Sequence, residues 1–377
     1  MLGVVQDANV DAMRRERVAE GRDGAVAVAA ELVKRRLRLA ARRLGAHDPV
    51  PAMQSVLDRA FDLPLGDPRY DQNALTPGAM PLEHSFSEIS PRALRFDLEP
   101  LAGTRASPLA RVHEASAAAR SLVSRYHGPE ALRWFDGATE RFRGSTIHGS
   151  AQFGAWLGAA FDEGGAQEVK VYYELGPDPL DGLPPNLQLA SRIATSLLPG
   201  LVPLFVSCAA GRTQGAVRIY FFHRGDLRLL DLEPLMHRLG IGHQLPSLLT
   251  ATGLMLGGRF VLPEGSVMLG LRDTTRGFEL KLDVLLPGIP DPPMQMHGLI
   301  RMHVAQRPES QRALEHWFQA LTPDEASSPG DMSVVGVRVS PATGARFTIY
   351  FRPVGYGEPE KTAARPNAAA DPYALRA

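Results

Sequence analysis

The chain has 377 residues, 44% hydrophobic and 22% charged, with a formal net charge of +0. This is globular composition with enough apolar mass for a large core, and it excludes a global field favouring nucleic acid. A single cysteine, Cys208, excludes an intrachain disulfide framework and a cysteine-rich metal site.

The apolar surroundings of Cys208 in LVPLFVSCAAG predict a buried, inert thiol. No stretch reaches the ~18 uninterrupted apolar residues of a membrane span. The opening MLGVVQDANVDAMRRERVAEG has no signal-peptide pattern, so a soluble, cytoplasmic protein without a membrane partner is expected.

In chain order, residues 23–44 (DGAVAVAAELVKRRLRLAARRL) predict a helix within an N-terminal helical extension over residues 1–50, its arginines on a solvated face. AMQSVLDRAF predicts a short second helix, and loops follow around Pro64, Pro68 and Pro77. In MPLEHSFSEISPRALRFDLEPL, Glu83 lies among apolar residues just before a turn. The segment Leu94–Leu98 then alternates, with Arg95, Asp97 and Glu99 on one face and Phe96 and Leu98 on the other. Helices are predicted over 106–126 and 129–142, with Trp134 and Phe135 as core anchors. Residues 150–162 (SAQFGAWLGAAFD) fit a strand or a helix.

A strand is predicted over residues 168–175 (VKVYYEL at its centre). PPNLQLASRIATSLLPGLVPLFVSCAAG reads as a helix with a hydrophobic continuation, and a strand follows over 218–222. Residues 227–240 carry an apolar helical face, which GHQLPSLLTATGLM can extend. Residues 266–272 and 277–286 predict a hairpin through DTTRG. MHGLIRMHVAQRPESQRALEHWFQALT predicts helix, and SPGDMSVVGVRVSPATGARFTIYFRP a last hairpin turning at PATGA. The Ala- and Pro-rich tail, 357–377, predicts disorder.

Strands ending in RFDLEP, VKVYYEL, VRIYFF, ELKLDVLL and RFTIYFRP recur at intervals of about 50–75 residues with helical material between them, a repeat pattern that predicts one domain over residues 1–356. Hairpins covered outside by helices leave their second face to a barrel interior. That interior would carry Arg95, Lys170, Arg218 and Lys281, joined by Arg346 and Arg352 from the last strand pair. Buried cations without partners cost several kcal/mol, on the order of the desolvation penalty, so inward ones imply an anion or acidic partners. A diphosphate would satisfy several of them; internal ion pairs with Asp97, Glu99 and Asp283 are the other reading. Tyr172, Tyr220 and Tyr350 lie two residues beyond a basic or polar position, placing a ring beside each. Eleven scattered histidines, His84, His148, His237 and His243 among them, form no metal-binding pattern, and no aspartate-rich magnesium cluster occurs. GSTIHGS, with Ser150, lacks a nucleophile elbow, and no glycine fingerprint for a nucleotide is present.

MPLEHSFSE…LRFDLEPL, VKVYYEL, VRIYFF and FTIYFRP, in this order and spacing over about residues 50–356, resemble the soluble aromatic (indole) prenyltransferases of the dimethylallyltryptophan synthase type, of the PT-barrel superfamily. The resemblance implies an α+β fold, the PT or ABBA barrel: ten antiparallel strands closed into a barrel, an outer ring of helices and five helix–hairpin repeats. It implies transfer of a prenyl group, dimethylallyl above all, from an allylic diphosphate to an electron-rich aromatic acceptor such as an indole or tryptophan derivative. Such a transferase of secondary metabolism needs no cofactor beyond the diphosphate co-substrate and no magnesium, and its partners are small molecules. By the same resemblance Glu83 assists deprotonation. Arg95, Lys170, Arg218, Lys281 and Arg346 bind diphosphate, and Tyr172, Tyr220, Tyr350 and Tyr356 shield the allyl cation. Two departures stand out. Ala216 occupies the place of a third-unit arginine, and Lys281 with Asp283 replaces a Gln-x-Tyr-like pair, giving Asp283 to Lys281 or to recognition of a cationic acceptor. A non-catalytic barrel binding an amphiphilic or lipid-like anion is the alternative, sharing the fold but needing neither Glu83 nor the tyrosines.

Overall fold

The computed structural model describes residues 28–143, 151–176, 179–354 and residue 356. The expectations placed on residues 1–27, on His148 and Ser150, and on the 357–377 tail lie outside the described residues.

Ten strands form the centre. They are β1 (Leu82–Ser87), β2 (Leu94–Leu98), β3 (Ala155–Asp162), β4 (Gly165–Glu174) and β5 (Leu201–Gly211), followed by β6 (Gly215–His223), β7 (Val267–Thr274), β8 (Gly277–Leu285), β9 (Gly330–Ser340) and β10 (Thr343–Pro353). Each pairs antiparallel with its neighbour in sequence, and β10 pairs back onto β1, with Ser85 opposite Tyr350, so the barrel is closed. Closure leaves no barrel edge for further strand addition.

Helices enter between the hairpins. Helices α1 (Ala29–Leu44) and α2 (Val50–Ala60) precede β1, and α3 (Pro108–Tyr126) and α4 (Gly128–Arg143) precede β3. Helix α5 (Pro185–Leu197) leads into β5; α6 (Glu233–Arg238) and α7 (Leu245–Met255) lead into β7; α8 (Met296–Val304) and α9 (Pro308–Leu321) lead into β9. Helix-then-hairpin therefore occurs five times.

Strand alternation sorts the residues. Phe96, Phe161, Val171, Phe221 and Leu282 point outward and are buried beneath the helices, while the residues between them point inward. The apolar face is thus the outer one, because helices cover it, and the inner face is released for polar chemistry.

One segment resolves an open sequence-based expectation, and two correct it. Residues 155–162 are strand β3, which settles the strand-or-helix choice. The hydrophobic continuation after α5 is strand β5, whose residues are buried on both faces and so read as one apolar run with no strand alternation. Its Pro203 lies at a register shift between β5 and β6, where a missing N–H breaks no ladder. Phe135 is fully buried as expected, but Trp134 is 36% exposed, its ring lying over Gly215 at the start of β6.

Candidate active site

The barrel interior has two layers. In the first, a cavity of about 530 Å³ is lined by Arg95, Lys170, Arg218, Arg272, Lys281 and Arg338, contributed by β2, β4, β6, β7, β8 and β9. Two carboxylates hold this crowd together. Arg95 Nη2 and Lys170 Nζ approach Glu168 Oε1 at 3.0 and 3.2 Å. Arg218 is ion-paired to Glu279, which also accepts from Arg272 (2.7 Å) and Arg338 (3.4 Å). Burial disfavours the Glu168 carboxylate, but Lys170 and Arg95 outweigh it and hold its pKa well below the usual range. Burial, with Arg218, Arg272 and Arg95 nearby, pulls Arg338 down to about 10 despite Glu279. Six cations against these two acids, with Asp283 taking Lys281 from the neighbouring cavity, leave this layer short of negative charge. That is the electrostatic requirement for an anion.

The second layer is a cavity of about 590 Å³ walled by aromatic rings. Phe153 stacks on Trp156 at 3.9 Å between centroids, Trp156 meets Phe205 at 5.6 Å, and Phe205 meets Tyr220 at 4.6 Å. Tyr220, Lys281 and Tyr350 line both cavities and so form their boundary. Each cation at the boundary lies over or beside a ring: Lys170 over Tyr172 at 5.3 Å, Arg218 over Tyr220 at 5.8 Å, Lys281 over Tyr350 at 4.8 Å. Burial raises the phenols of Tyr172 and Tyr350, whereas at Tyr220 the charges of Arg218, Lys281 and Lys170 overcome burial and lower it.

Three carboxyl groups enter the second cavity: Glu83, Asp97 and Asp283. Glu83 accepts from Ser333 Oγ at 2.6 Å and stands directly opposite Asp97 in the β1–β2 register. Burial, aided by the Asp97 charge and opposed by Ser333, pushes Glu83 up to about 8. Asp283 is taken by Lys281 at 2.7 Å, and the same ammonium donates to Tyr350 Oη at 2.8 Å. Glu99 lies apart. Its carboxylate accepts from the backbone N–H of Ala74 (2.8 Å) and Leu75 (3.2 Å) and from Trp156 Nε1 (3.1 Å), pinning a loop and orienting a wall of the cavity.

Among known proteins, no family profile and no curated protein sequence matches the chain. Solved structures do. The 6-dimethylallyltryptophan synthase from Micromonospora olivasterospora, solved with DMASPP and Trp, superposes with a TM-score of 0.66 over 86% of this chain and 97% of that one, at 15% identity. The 5-dimethylallyltryptophan synthase from Streptomyces coelicolor gives 0.64 over 86% and 97%, at 16% identity, and prenyltransferase PriB gives 0.62 over 86% and 96%, at 18% identity. The chain folds as a PT barrel.

Inside this PT barrel, Glu83, Arg95, Lys170, Arg218, Lys281, Tyr172, Tyr220, Tyr350 and Asp283 all line the two cavities. Three expected residues do not: Arg346, Tyr356 and Arg352, whose guanidinium donates to the Pro77 carbonyl at 3.4 Å. Arg346 sits 3.8 Å from Glu88, outside both linings, because Glu88 also binds Arg307 of the loop before α9 and draws it toward the barrel end. Tyr356 follows the last strand and packs on Arg36 of α1, the guanidinium 4.4 Å above its ring, in the layer between barrel and helices. Sequence reading overlooked Glu168, Glu279, Arg272, Arg338, Trp156 and Phe205. Strand parity was the available signal for the charged ones: Glu168 is two residues before Lys170, Glu279 two before Lys281, and Arg272 two beyond Gly270. Arg272 stands opposite Arg218 across the β6–β7 ladder and lines the same cavity as Ala216, adding a cation from the neighbouring strand. Among the described residues no group of three or more His, Cys, Asp or Glu side chains could hold a metal ion, and no helix is long and apolar enough to cross a membrane.

Proposed function

We propose that this protein transfers a dimethylallyl group from its allylic diphosphate to an electron-rich aromatic acceptor, an indole or tryptophan derivative, with release of diphosphate. The observation that carries this reading is the stacking of a cation-lined cavity on an aromatic-walled one, with three cation–tyrosine pairs at their boundary. Similar structures support it: prenyltransferase PriB was solved with L-tryptophan and dimethylallyl thiolodiphosphate, and separately with product diphosphate.

Each layer has its step. Arg95, Lys170, Arg218 and Lys281, with Arg272 and Arg338, stabilise charge accumulating on the diphosphate oxygen as the allylic C–O bond breaks. The electron pair leaves with the diphosphate, and the allyl cation that remains lies among Tyr172, Tyr220 and Tyr350, whose π faces stabilise it and exclude water. A ring carbon of the acceptor attacks, forming the new C–C bond, and the ring proton passes to the Glu83 carboxylate, restoring aromaticity. The cations do the work of charge neutralisation, so the reaction as written needs no metal ion.

The test is incubation with dimethylallyl diphosphate and a panel of indoles, tryptophan and tyrosine in the presence of EDTA, followed by mass spectrometry. A prenylated product with stoichiometric diphosphate is expected. Absence of product, with no binding of dimethylallyl thiolodiphosphate, would sink the reading.

A further inference from the structure

One acidic group is not accounted for by that chemistry. Asp97 projects from β2 into the aromatic-walled cavity and is only 7% exposed. Glu83 has Ser333 and Asp283 has Lys281, but among the described residues no hydrogen bond or ion pair reaches the Asp97 carboxylate. Burial raises the Asp97 pKa, and Lys170 and Arg95, being held by Glu168, oppose this only at longer range. Arg352, which acts on Glu83, is turned to the Pro77 carbonyl at 3.4 Å and lines neither cavity. Space is reserved for Asp97: a Cβ on Gly158 would come within 2.2 Å of its Oδ1 and 3.4 Å of Tyr172 Cε2. Beside it the rings of Trp156, Tyr172 and Phe205 form a three-sided wall with centroids 5.6 to 6.3 Å apart. A carboxylate with π faces around it is a site for an ammonium group.

Charge balance across both layers points the same way. Six cations face four charged carboxylates, Asp97, Glu168, Glu279 and Asp283, because burial keeps Glu83 protonated below about 8. A terminal phosphate brings about −1.5 to −2 at pH 7 and the inner phosphate of the diphosphate is ionised too, so the donor-loaded barrel is negative overall. A neutral indole offers one N–H donor, enough for Glu83 and nothing for Asp97. A carboxylate-bearing acceptor adds a further negative charge.

We infer that the acceptor is an arylalkylamine, an aromatic ring bearing an ammonium group and no carboxylate, with the ammonium bound by Asp97 against the Trp156–Tyr172–Phe205 wall. The inference rests on the prenyl-transfer reading above and names its second substrate.

The experiment compares tryptamine, 3-ethylindole, tryptophan and indole-3-propionate as acceptors with dimethylallyl diphosphate. Tryptamine binding is also measured by calorimetry with dimethylallyl thiolodiphosphate present. Tryptamine is expected to exceed 3-ethylindole in kcat/KM by about tenfold or more, the scale of a charge-assisted hydrogen bond, and tryptophan and indole-3-propionate to fall below tryptamine. Asp97→Asn should collapse the amine preference and weaken tryptamine binding. Gly158→Ala, which displaces the carboxylate and leaves Asp97 in the sequence, should do the same. Equal rates for tryptamine and 3-ethylindole, a preference surviving in Asp97→Asn, or tryptophan outrunning tryptamine would overturn the inference. If no acceptor is turned over, the transferase reading falls, and the calorimetry still decides this one: tryptamine binding that does not depend on Asp97 overturns it.

Discussion

Burial keeps Glu83 protonated below about 8, and only its ionised form can take the ring proton, which makes its environment measurable. Its folded pKa of about 8 lies above the ordinary carboxyl value because burial opposes the charge and Asp97 faces it. Between the unfolded value near 4.5 and about 8, the folded chain keeps a proton that the unfolded chain has lost, so stability falls as pH rises through that window. Glu83→Gln removes this dependence. The variant should match the wild type in urea unfolding near the bottom of the window and exceed it at the top by an amount on the order of a few kcal/mol. Activity runs the other way. Proton removal requires the carboxylate, so wild-type turnover should climb with pH toward about 8, and Glu83→Gln should cost about 10²–10⁴-fold at the top of the profile. The cation layer gives a second residue-scale test. Arg272→Gln should weaken binding of inorganic diphosphate by about tenfold or more, whereas Arg346→Gln, whose parent side chain is engaged with Glu88, should leave calorimetric affinity unchanged.

At the scale of elements, the site depends on inward positions being kept small opposite large charged ones. Gly336 on β9 faces Asp283 across the β8–β9 ladder, and a Cβ there would meet Asp283 Oδ1 at 2.2 Å and Lys281 Cε at 3.0 Å. Gly336→Ala should therefore disturb the Lys281–Asp283 pair and destabilise the fold by about 1–3 kcal/mol, the usual cost of overpacking, as read by chemical denaturation. Register shifts do complementary work. Those in the β3–β4, β5–β6 and β9–β10 pairs bend the strands into a closed wall and let Pro203 sit inside one of them. The alternating strands β2, β4 and β6 were legible from sequence because one face is charged and the other apolar. Strands β3 and β5 were not, because Ala, Gly and aromatic residues serve both faces and the two-residue period disappears.

For the whole molecule, ring closure is the controlling fact. Every strand is paired on both sides, so the six strands that bring cations to the first cavity cannot separate independently. Unfolding should follow a single transition, and inorganic diphosphate at about 100 times its Kd should add ~2.7 kcal/mol of stability by mass action. Calorimetry with and without the ligand checks this; two transitions, or a shift confined to part of the unfolding signal, would contradict it.

Sequence by itself determined the repeat of helix and hairpin, the inward set Arg95, Lys170, Arg218 and Lys281, the tyrosines two residues on, and Glu83 as the acid among apolar neighbours. These follow from local periodicity, which a strand's two-residue alternation writes directly into the chain. Tertiary structure alone decided which charges meet. Glu279 gathers arginines from three strands, Glu88 draws Arg346 aside, Arg36 claims Tyr356, and Lys281 occupies Asp283 so that Asp97 is left open. Such ion pairs and cation–π contacts depend on distances of a few ångströms between residues as many as 320 positions apart, and the tertiary fold, not local sequence, sets those distances.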